Sequence, residues 1–398
     1  MKFAGRVSQI QPSQTLGITA LVQQLRREGK SVIGLGAGEP DFDTPQEIKD
    51  AAIAAIGKGL TKYTPVSGIV ELKEAVCEKY KLEAGVDITP AEVLIACGAK
   101  HALANAILAL CEAGDEIIIP APYWTSYIEM ARFVGATPVV IDTRDDAAFK
   151  LSPEQLRESI TPRSKLLLLN SPSNPTGSAY SKAELDALVE IALASNLIIV
   201  YDEIYEKMLY DGKQHVFLAG YPELRNNLVT VNGVSKTYSM TGWRIGYFIA
   251  PPDLVKACNK IQGHTTSNPC SISQYASVTA LKSDPAIVSR MVVEFDRRRK
   301  YIADALNTIP GVDCLMPDGA FYTYPNISQY IGTACDGQKI ESSMDLCNYL
   351  LEKVGVALVP GEAFGTTEHV RISYATSMAN LEEAVSRMRD GLAKLRAS

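Results

Sequence analysis

The chain has 398 residues, 46% of them hydrophobic and 21% charged, with a formal net charge of −6. The length predicts two domains and the composition a large globular core, without an apolar stretch of the roughly 18 residues that a membrane span requires. The mild acidity argues against nucleic-acid binding, and the one basic run, at 297–300, falls in a helical pattern that is predicted to be a solvated face.

The first 45 residues predict one amphipathic helix, at about 18–28, followed by the turn-rich segment 36–45. The middle of the chain then alternates short apolar runs with polar or Gly-rich turns and helical patterns. Seven runs are predicted to be strands, at 93–97, 116–119, 138–141, 165–170, 197–201, 228–231 and 245–250. Because these runs are apolar on both faces, we expect a mostly parallel sheet with helices on each side.

Helix starts are marked by a Ser or Thr that is followed three residues later by Glu or Gln. Such signals begin at Thr89, Ser152 and Ser181, and another helix is expected at about 101–112. Beyond about residue 290 the pattern changes to long helices and short strands, including 356–359 and 370–374. The prediction is an α/β protein with a large domain at 46–290 and a smaller α/β domain from 1–45 and 291–398.

The eight cysteines form no C-x-x-C pair and match no zinc-ribbon spacing, so no metal site is predicted. Several of them, such as Cys97 and Cys111, lie within apolar stretches, which favours buried reduced thiols. The N-terminal segment lacks the apolar core of a secretory signal. A cytoplasmic protein is therefore expected.

The most informative segment begins where the predicted strand at 228–231 ends. It holds the pair Ser235-Lys236, followed by a Gly-x-Arg-x-Gly sequence that contains Arg244. A lysine amine can form a Schiff base with an aldehyde, and a guanidinium can bind a phosphate through two hydrogen bonds. The alternative is a surface lysine and an arginine in a salt bridge.

Other polar segments follow further predicted strands, where open α/β sheets place their ligands. Asp202 could pair with a pyridinium nitrogen or merely cap a helix, and Asn174, before a proline, could project its amide into a cleft or belong to any loop. Small residues at 97–99 allow backbone N–H groups to bind an anion, or form a simple turn. Trp124 could stack on a planar ring or lie in the core.

Together and in this order, these segments resemble the class I aminotransferases of fold type I, which use pyridoxal phosphate. Within that family the chain is most similar to the prokaryotic-type aspartate aminotransferases. The resemblance extends from Gly36 to Ala375. Its most specific blocks are Ser235-Lys236 with Arg244-x-Gly246, Asn174-Pro-Thr-Gly177, and Asp202-x-x-Tyr205.

The resemblance implies that Lys236 holds pyridoxal phosphate and, once released, moves a proton as general acid and base. It implies that Asp202 keeps the ring nitrogen protonated, while Tyr205 and Asn174 hydrogen-bond the phenolate oxygen of the ring. Trp124 would stack on the ring. The large domain would thus be the cofactor-binding domain.

The resemblance also implies phosphate contacts for Gly98, Ala99, Lys100, Ser235 and Arg244. Tyr63 would reach the phosphate from a neighbouring subunit, so that a homodimer shares its active sites. Arg371 would bind the α-carboxylate of the substrate, and Gly38 would close over the substrate through its backbone.

The implied reaction is a ping-pong transfer between amino acids and 2-oxo acids. One amino acid leaves its nitrogen on the cofactor and departs as a 2-oxo acid, and a second 2-oxo acid then collects the nitrogen. L-aspartate with 2-oxoglutarate is the expected pair.

Three positions depart from the family pattern. Gly233 stands where relatives often have Ser, so that one phosphate hydrogen bond must come from elsewhere. Gln11 replaces a basic residue that serves prephenate, which weakens the expectation of prephenate use. No arginine occurs at 262–269, and His264 becomes the candidate for the distal carboxylate, with Ser/Thr and backbone groups as the alternative.

Three other functions would use the same cofactor and the same cofactor-binding residues. They are an aminotransferase of aromatic or broad specificity, including prephenate, a pyridoxal-phosphate lyase or synthase, and a non-enzymatic regulator that binds the cofactor. The intact set of Lys236, Asp202, Arg244 and Arg371 argues against the regulator, as does the lack of an apparent DNA-binding extension.

Overall fold

The computed structural model describes residues 1–397. Its helices are α1 (Gly5–Gln9), α2 (Gln14–Arg27), α3 (Gln46–Gly57), α4 (Val70–Ala84), α5 (Ala99–Leu110), α6 (Ser126–Val134), α7 (Pro153–Ser159), α8 (Lys182–Ala194), α9 (Pro252–Thr265), α10 (Ser271–Leu281), α11 (Pro285–Asn307), α12 (Ser343–Val354) and α13 (Met378–Leu392). Its strands are β1 (Ile33–Gly34), β2 (Val93–Ala96), β3 (Glu116–Ala121), β4 (Thr137–Asp142), β5 (Ser164–Asn170), β6 (Ile198–Asp202), β7 (Leu228–Gly233), β8 (Gly246–Ile249), β9 (Tyr322–Thr323), β10 (Thr333–Cys335), β11 (Gln338–Ile340), β12 (Val356–Ala357), β13 (Val359–Pro360), β14 (Val370–Ser373) and β15 (Arg396–Ala397).

A seven-stranded sheet with the order β2-β8-β7-β6-β5-β3-β4 forms the centre of the protein. Strand β8 runs antiparallel to both of its neighbours, and the other pairs are parallel. The seven predicted strands are all present, with ends within two residues of the predicted ones. The predicted α/β class and the mostly parallel sheet are therefore confirmed.

Both faces of this sheet are buried because successive side chains of a strand point to opposite sides. On β5, Leu166 and Leu168 pack in the core cluster that contains residues of α5. Leu167 and Leu169 pack on the other face, in the cluster that contains residues of α8. The continuous apolar sequence of β5 is thus the expected one for a strand between two helical layers.

The ends of the chain share a second core. Ile33 and Leu35 belong to the same cluster of buried residues as Phe295 and Ile372. Strand β1 pairs in parallel with β12, and β13, β14 and β9 form a small antiparallel sheet. The boundary predicted at 290 lies inside α11, and the proposed division into two domains stays a prediction.

Two local predictions were wrong. The basic run is not a solvated face, because Arg298 and Arg299 are buried and form ion pairs with acidic groups. The signal at Thr89 has its capping bonds but begins only a single 3₁₀ turn, since the apolar residues that follow pair in the sheet as β2. The signals at Ser152 and Ser181 do cap helices, α7 and α8.

Hydrophobic helices of membrane-spanning length do not occur among residues 1–397. The eight cysteines are all free thiols. Cys111 is buried as expected, and so are Cys258, Cys314 and Cys347, whereas Cys97, for which burial was also expected, is half-buried and Cys270 is exposed.

Candidate active site

A cavity of about 350 Å³ lies at the edge of the sheet where the parallel strands β5, β6 and β7 end. Open parallel sheets commonly bind ligands at this edge. Eleven of the predicted site residues line the cavity: Gly38, Ala99, Lys100, Trp124, Asn174, Asp202, Tyr205, Ser235, Lys236, Arg244 and Arg371. The tertiary structure therefore brings together segments from most of the chain.

Asp202 is the last residue of β6, and its carboxylate is buried. Its Oδ2 accepts a hydrogen bond from the Tyr127 hydroxyl at 2.7 Å, and its Oδ1 accepts one from the Ile204 amide at 3.2 Å. Burial raises the pKa of Asp202 to about 6, although these two hydrogen bonds act in the opposite direction. A cationic group of a ligand would therefore be bound favourably beside this carboxylate.

Lys236 follows β7 and reaches the cavity from the neighbouring strand end. Its Nζ donates a hydrogen bond to the carbonyl oxygen of Gly38. Burial lowers the pKa of Lys236 to about 8, and the negative charge of Glu39 acts against this shift. An appreciable fraction of the amine is thus neutral in mildly alkaline solution, as a nucleophile requires.

Arg371 lies on β14 and is 2% exposed. Its Nη1 donates to Asn174 Oδ1 at 2.9 Å, and its Nη2 donates to the Gly36 carbonyl oxygen at 2.7 Å. The guanidinium lies 4.5 Å from the ring centre of Tyr322. Every one of these partners is neutral, and burial lowers the pKa of Arg371. Within residues 1–397 this cation has no carboxylate partner, so it is ready to bind a ligand anion.

A second corner of the cavity is built for an anion. Gly98 precedes α5 with a φ of 90°, and a Cβ at this position would lie 2.4 Å from Nη2 of Arg244. Arg244 is held by hydrogen bonds to the carbonyl oxygens of Thr241 and Cys97, at 2.9 and 3.2 Å. The first N–H groups of α5, beginning at Ala99, add the positive end of a helix dipole.

Close packing of two glycines explains why position 233 carries Gly rather than the Ser expected from the family pattern. A Cβ on Gly233 would lie 2.9 Å from Cα of Gly246 in the neighbouring strand β8. Gly246 in turn packs against the start of α5, where its own Cβ would be 2.2 Å from the Ala99 amide nitrogen. A Ser at position 233 would therefore collide with backbone atoms, so that the hydroxyl found in relatives has no room here.

Two aromatic residues of the cavity were missed from the sequence. Tyr127 bonds Asp202 and lies one turn after Trp124, a spacing that could have revealed it. Tyr322 bonds the Tyr205 hydroxyl at 2.9 Å and packs on Arg371. No motif near Tyr322 indicated a place in the site.

Three predicted residues do not line the cavity: Gly98, which lies against the guanidinium of Arg244, and the more distant Tyr63 and His264. Tyr63 is 91% exposed, and His264 is exposed in the last turn of α9. Neither is brought to the cavity of its own chain. A cluster of His, Cys, Asp or Glu that could hold a metal ion does not occur in the described part of the chain.

Comparison with known proteins decides the family. A family model described as "Aminotransferase class I and II" matches residues 30–388. The chain belongs to this family. An aspartate aminotransferase of Geobacillus stearothermophilus is 48% identical over 389 residues, which cover 98% of each chain. An aspartate/prephenate aminotransferase of Nitrosomonas europaea is 47% identical, over 98% of this chain and 99% of the relative.

Solved structures agree with this aminotransferase assignment. The crystal structure of the aspartate aminotransferase from Rhizobium meliloti superimposes with a TM-score of 0.96 at 45% identity, covering 100% of both chains. The aspartate aminotransferase from Thermus thermophilus with maleate gives a TM-score of 0.92 at 39% identity, covering 98% of this chain and 100% of the other.

Pyridoxal phosphate is the cofactor of this aminotransferase, as in its family. The cavity fits the chemistry of that molecule. The corner at Gly98 and Arg244 suits a phosphate, and the buried carboxylate of Asp202 suits a protonated ring nitrogen. The amine of Lys236 reaches the same cavity.

Proposed function

We propose that this aminotransferase moves the amino group of L-aspartate to 2-oxoglutarate, forming oxaloacetate and L-glutamate in two half-reactions. The observation that carries the proposal is Arg371, a buried cation whose partners in the cavity are all neutral. The α-carboxylate that amino acids and 2-oxo acids share would supply the missing anion. The names of the relatives from Geobacillus stearothermophilus and Rhizobium meliloti support the choice of aspartate.

Arg371 binds the α-carboxylate through its planar guanidinium, which favours two parallel hydrogen bonds. Asn174 accepts one hydrogen bond from the guanidinium of Arg371 and lines the same cavity. The side-chain amide of Asn174 therefore helps to position the bound substrate. The backbone of Gly38, whose carbonyl oxygen accepts a hydrogen bond from Lys236, would close over the substrate.

Asp202 and the aromatic residues orient the cofactor ring. When bound, pyridoxal phosphate withdraws electrons from Cα of the substrate and so makes its proton acidic. Asp202, as a buried carboxylate, would pair with the ring nitrogen and keep it protonated. Tyr205 and Asn174 would hydrogen-bond the phenolate oxygen of the ring, and Trp124 would stack on the ring.

Lys236 has two tasks that its neutral amine can perform. It would hold the cofactor through its aldehyde, and once free, the amine would serve as the base that takes the proton from Cα of the substrate and as the acid that gives it back. The pKa of about 8 suits both tasks, because a lysine in water would be almost fully protonated near neutral pH.

The phosphate would be held by Gly98, Ala99, Ser235 and Arg244. Lys100, which the resemblance also implied there, is proposed instead for the distal carboxylate of the substrate. Gly98 leaves room for the guanidinium of Arg244 beside the first turn of α5. The side chains of Ser235 and Arg244 line the cavity on the same side as Lys236. Anchoring the phosphate fixes the position of the ring relative to Asp202, which favours a reactive geometry.

Lys100 is the stronger candidate for the distal carboxylate of aspartate. Its ammonium lies 4.9 Å from the ring centre of Trp124 and lines the cavity. Burial and, secondarily, the charge of Arg244 lower the pKa of Lys100. An anion beside this ammonium would relieve both effects. His264 lies outside the cavity of its own chain and could contribute only from a neighbouring subunit.

A homodimer is the proposed assembly. Tyr63 is almost fully exposed and lies outside the cavity, which fits a residue that completes the phosphate site of a second copy. Mixing inactive Lys236→Ala chains with Tyr63→Phe chains would test the sharing of sites, because hybrid dimers would contain one intact site. A cytoplasmic location is also proposed, supported by the eight free thiols.

The second candidate is an enzyme that also accepts prephenate. The relative from Nitrosomonas europaea is named for both substrates and is nearly as similar as those named for aspartate alone. Against this, position 11 carries a neutral Gln in place of a basic residue, and only its backbone N–H contacts an acid, donating to Glu129 at 2.9 Å. Competition between prephenate and aspartate in a steady-state assay separates the two candidates.

The half-reaction tests the main proposal. L-aspartate alone is expected to release one equivalent of oxaloacetate per chain and then stop until 2-oxoglutarate is added. Continuous release of ammonia or pyruvate would instead identify a lyase. No reaction with any amino acid would identify a protein that only binds the cofactor.

A further inference from the structure

A second buried carboxylate lies directly behind the cavity. Glu203 follows Asp202 in the chain and is 0% exposed, yet it does not line the cavity. Asp202 faces Tyr127, whereas Glu203 faces Tyr80 and His215 on the other side of the sheet. The two adjacent acids therefore occupy separate environments.

Three side chains hydrogen-bond the Glu203 carboxylate. Its Oε1 accepts from the hydroxyl of Tyr80 and, at 3.4 Å, from Nδ2 of Asn232. Its Oε2 lies 3.0 Å from Nε2 of His215, within hydrogen-bonding distance. The backbone amide of Glu203 also donates to the carbonyl oxygen of Val231 at 3.0 Å. Glu203 is thus bonded to β7 through both its backbone and its side chain.

Asn232 links Glu203 to the segment that carries Lys236. Its Oδ1 accepts a hydrogen bond from the amide of Gly233 at 2.7 Å, the last residue of β7. Lys236 follows only three residues later. Glu203 therefore joins the end of β6, which carries Asp202, to the end of β7, which carries Lys236.

We infer that Glu203 is a positioning residue, which holds the Asp202 and Lys236 segments in register and places a buried negative charge behind the ring-nitrogen site. The inference rests on the proposed roles of Asp202 and Lys236. Packing alone does not require this charge, because the side-chain oxygen of a Gln could accept the same hydrogen bonds from Tyr80 and Asn232. The network is formed by groups that neither line the cavity nor belong to the motifs of the sequence.

The electrostatic surroundings agree with this role. Burial is the main cause of the raised pKa of Asp202, and the charge of Glu203 raises it further. A negative charge on Glu203 makes the carboxylate of Asp202 less stable when it stands alone. The same charge makes a cation beside Asp202 more stable. Titratable groups that approach Glu203 are Tyr80, Tyr201, Asp202, His215 and Tyr247. The backbone amide of Glu206 donates to the Glu203 carbonyl oxygen at 3.0 Å, and its side chain pairs with Lys79.

The test is Glu203→Gln in the full enzyme with bound cofactor, with Glu206→Gln as the matched control. Glu206 is also a buried acid, but it pairs with Lys79 at 2.8 Å and is not bonded to β7. We expect Glu203→Gln to lower kcat about threefold to tenfold, because the buried negative charge behind Asp202 is lost, with KM for aspartate little changed. Glu206→Gln is expected to keep kcat within about twofold of wild type.

A second readout does not depend on turnover. The pH midpoint of the visible absorbance change of the bound cofactor is expected to fall by about half a unit in Glu203→Gln, because removing a negative charge destabilises the protonated form. An unchanged midpoint together with wild-type kcat would overturn the inference, as would equal losses in the Glu206→Gln control.

A conservative variant covers the case in which Glu203→Gln does not fold. Tyr80→Phe removes one donor to the carboxylate and is expected to lower kcat about threefold to tenfold with the same small change in KM. Wild-type kinetics in that variant would overturn the inference. If the wild-type enzyme itself produced no oxaloacetate from aspartate, the proposed function would fail instead, so the two failures are distinguishable.

Discussion

Two arginines of this protein are equally buried but differ in the charge around them. Arg299 is 1% exposed and Arg371 is 2% exposed, and each packs on a tyrosine ring at about the same distance, 4.6 and 4.5 Å. In both side chains, Nε has no hydrogen-bond partner among the described residues. Arg299, however, lies within 2.9 Å of two carboxylates, Asp211 and Asp296, whereas the partners of Arg371 are neutral.

The difference separates a structural cation from a binding one. The carboxylates raise the pKa of Arg299 against the effect of burial, while burial lowers the pKa of Arg371. A buried charge is costly unless an opposite charge compensates it. Arg299 is compensated within the chain, and Arg371 is compensated only when a substrate carboxylate binds.

The largest effect is expected from Arg371→Ala, which removes the buried cation that has no carboxylate partner in the described residues. We expect kcat/KM for aspartate to fall about a thousandfold, because loss of a desolvated charge contact costs about 4 kcal/mol. The free energy of unfolding should stay within about 1 kcal/mol of wild type, since no internal ion pair is lost. Steady-state kinetics and urea denaturation would measure the two effects. A loss of activity below tenfold would contradict the assignment.

Arg299→Met should give the opposite pattern. It keeps the volume but leaves Asp211 and Asp296 without their buried partner, so the free energy of unfolding should fall by about 2–3 kcal/mol. The loss is moderate because both carboxylates are partly exposed. Activity of the folded enzyme, measured below the unfolding transition, should remain within about threefold of wild type. A large change in KM with unchanged stability would remove the distinction between the two arginines.

Lys100 is a third cation of this kind. It packs against the ring of Trp124 and, like Arg371, has no carboxylate partner in residues 1–397. Lys100→Ala should raise KM for aspartate about tenfold, or about 1.4 kcal/mol, and leave KM for phenylalanine almost unchanged. His264→Ala is the rival variant and should have the smaller effect on aspartate. The reverse order would identify His264, and equal effects on aspartate and phenylalanine would exclude both.

The smallest expected effect concerns pH. Because burial lowers the pKa of Lys236 to about 8, the neutral amine disappears as pH falls through that value. The rate at which the cofactor-free enzyme binds pyridoxal phosphate should therefore rise with a midpoint near pH 8. Glu39→Gln removes a charge that raises this pKa and should lower the midpoint by about half a unit. Stopped-flow absorbance would follow it, and a midpoint near that of a free lysine would contradict the prediction.

Local patterns predicted the scaffold well. The seven strands of the sheet were found because a strand buried on both faces is recognisable from its own residues, as in β5. The basic run at 297–300 was misjudged for the opposite reason. Its helix was recognised, but burial of Arg298 and Arg299 depends on Asp41 and Asp211, which lie far away in the chain.

The site residues that belong to local motifs were also predicted, whereas those placed by contacts between distant segments were missed. Motifs at strand ends indicated Asn174, Asp202 and Lys236, and parallel strands necessarily bring such ends to one edge. Tyr322 had no such motif, and its contact with Tyr205 spans 117 residues. The role of Glu203 was equally hidden, because Tyr80 comes from α4 and Asn232 from β7.

The α/β class, the order of strands and helices along the chain, and the residues that could carry the chemistry were all readable from local sequence patterns. Which buried charges are neutralised by other side chains, and which are left for a ligand, became visible in the folded chain. The physical reason is that compensation of a buried charge depends on contacts between distant segments, and no local pattern contains them.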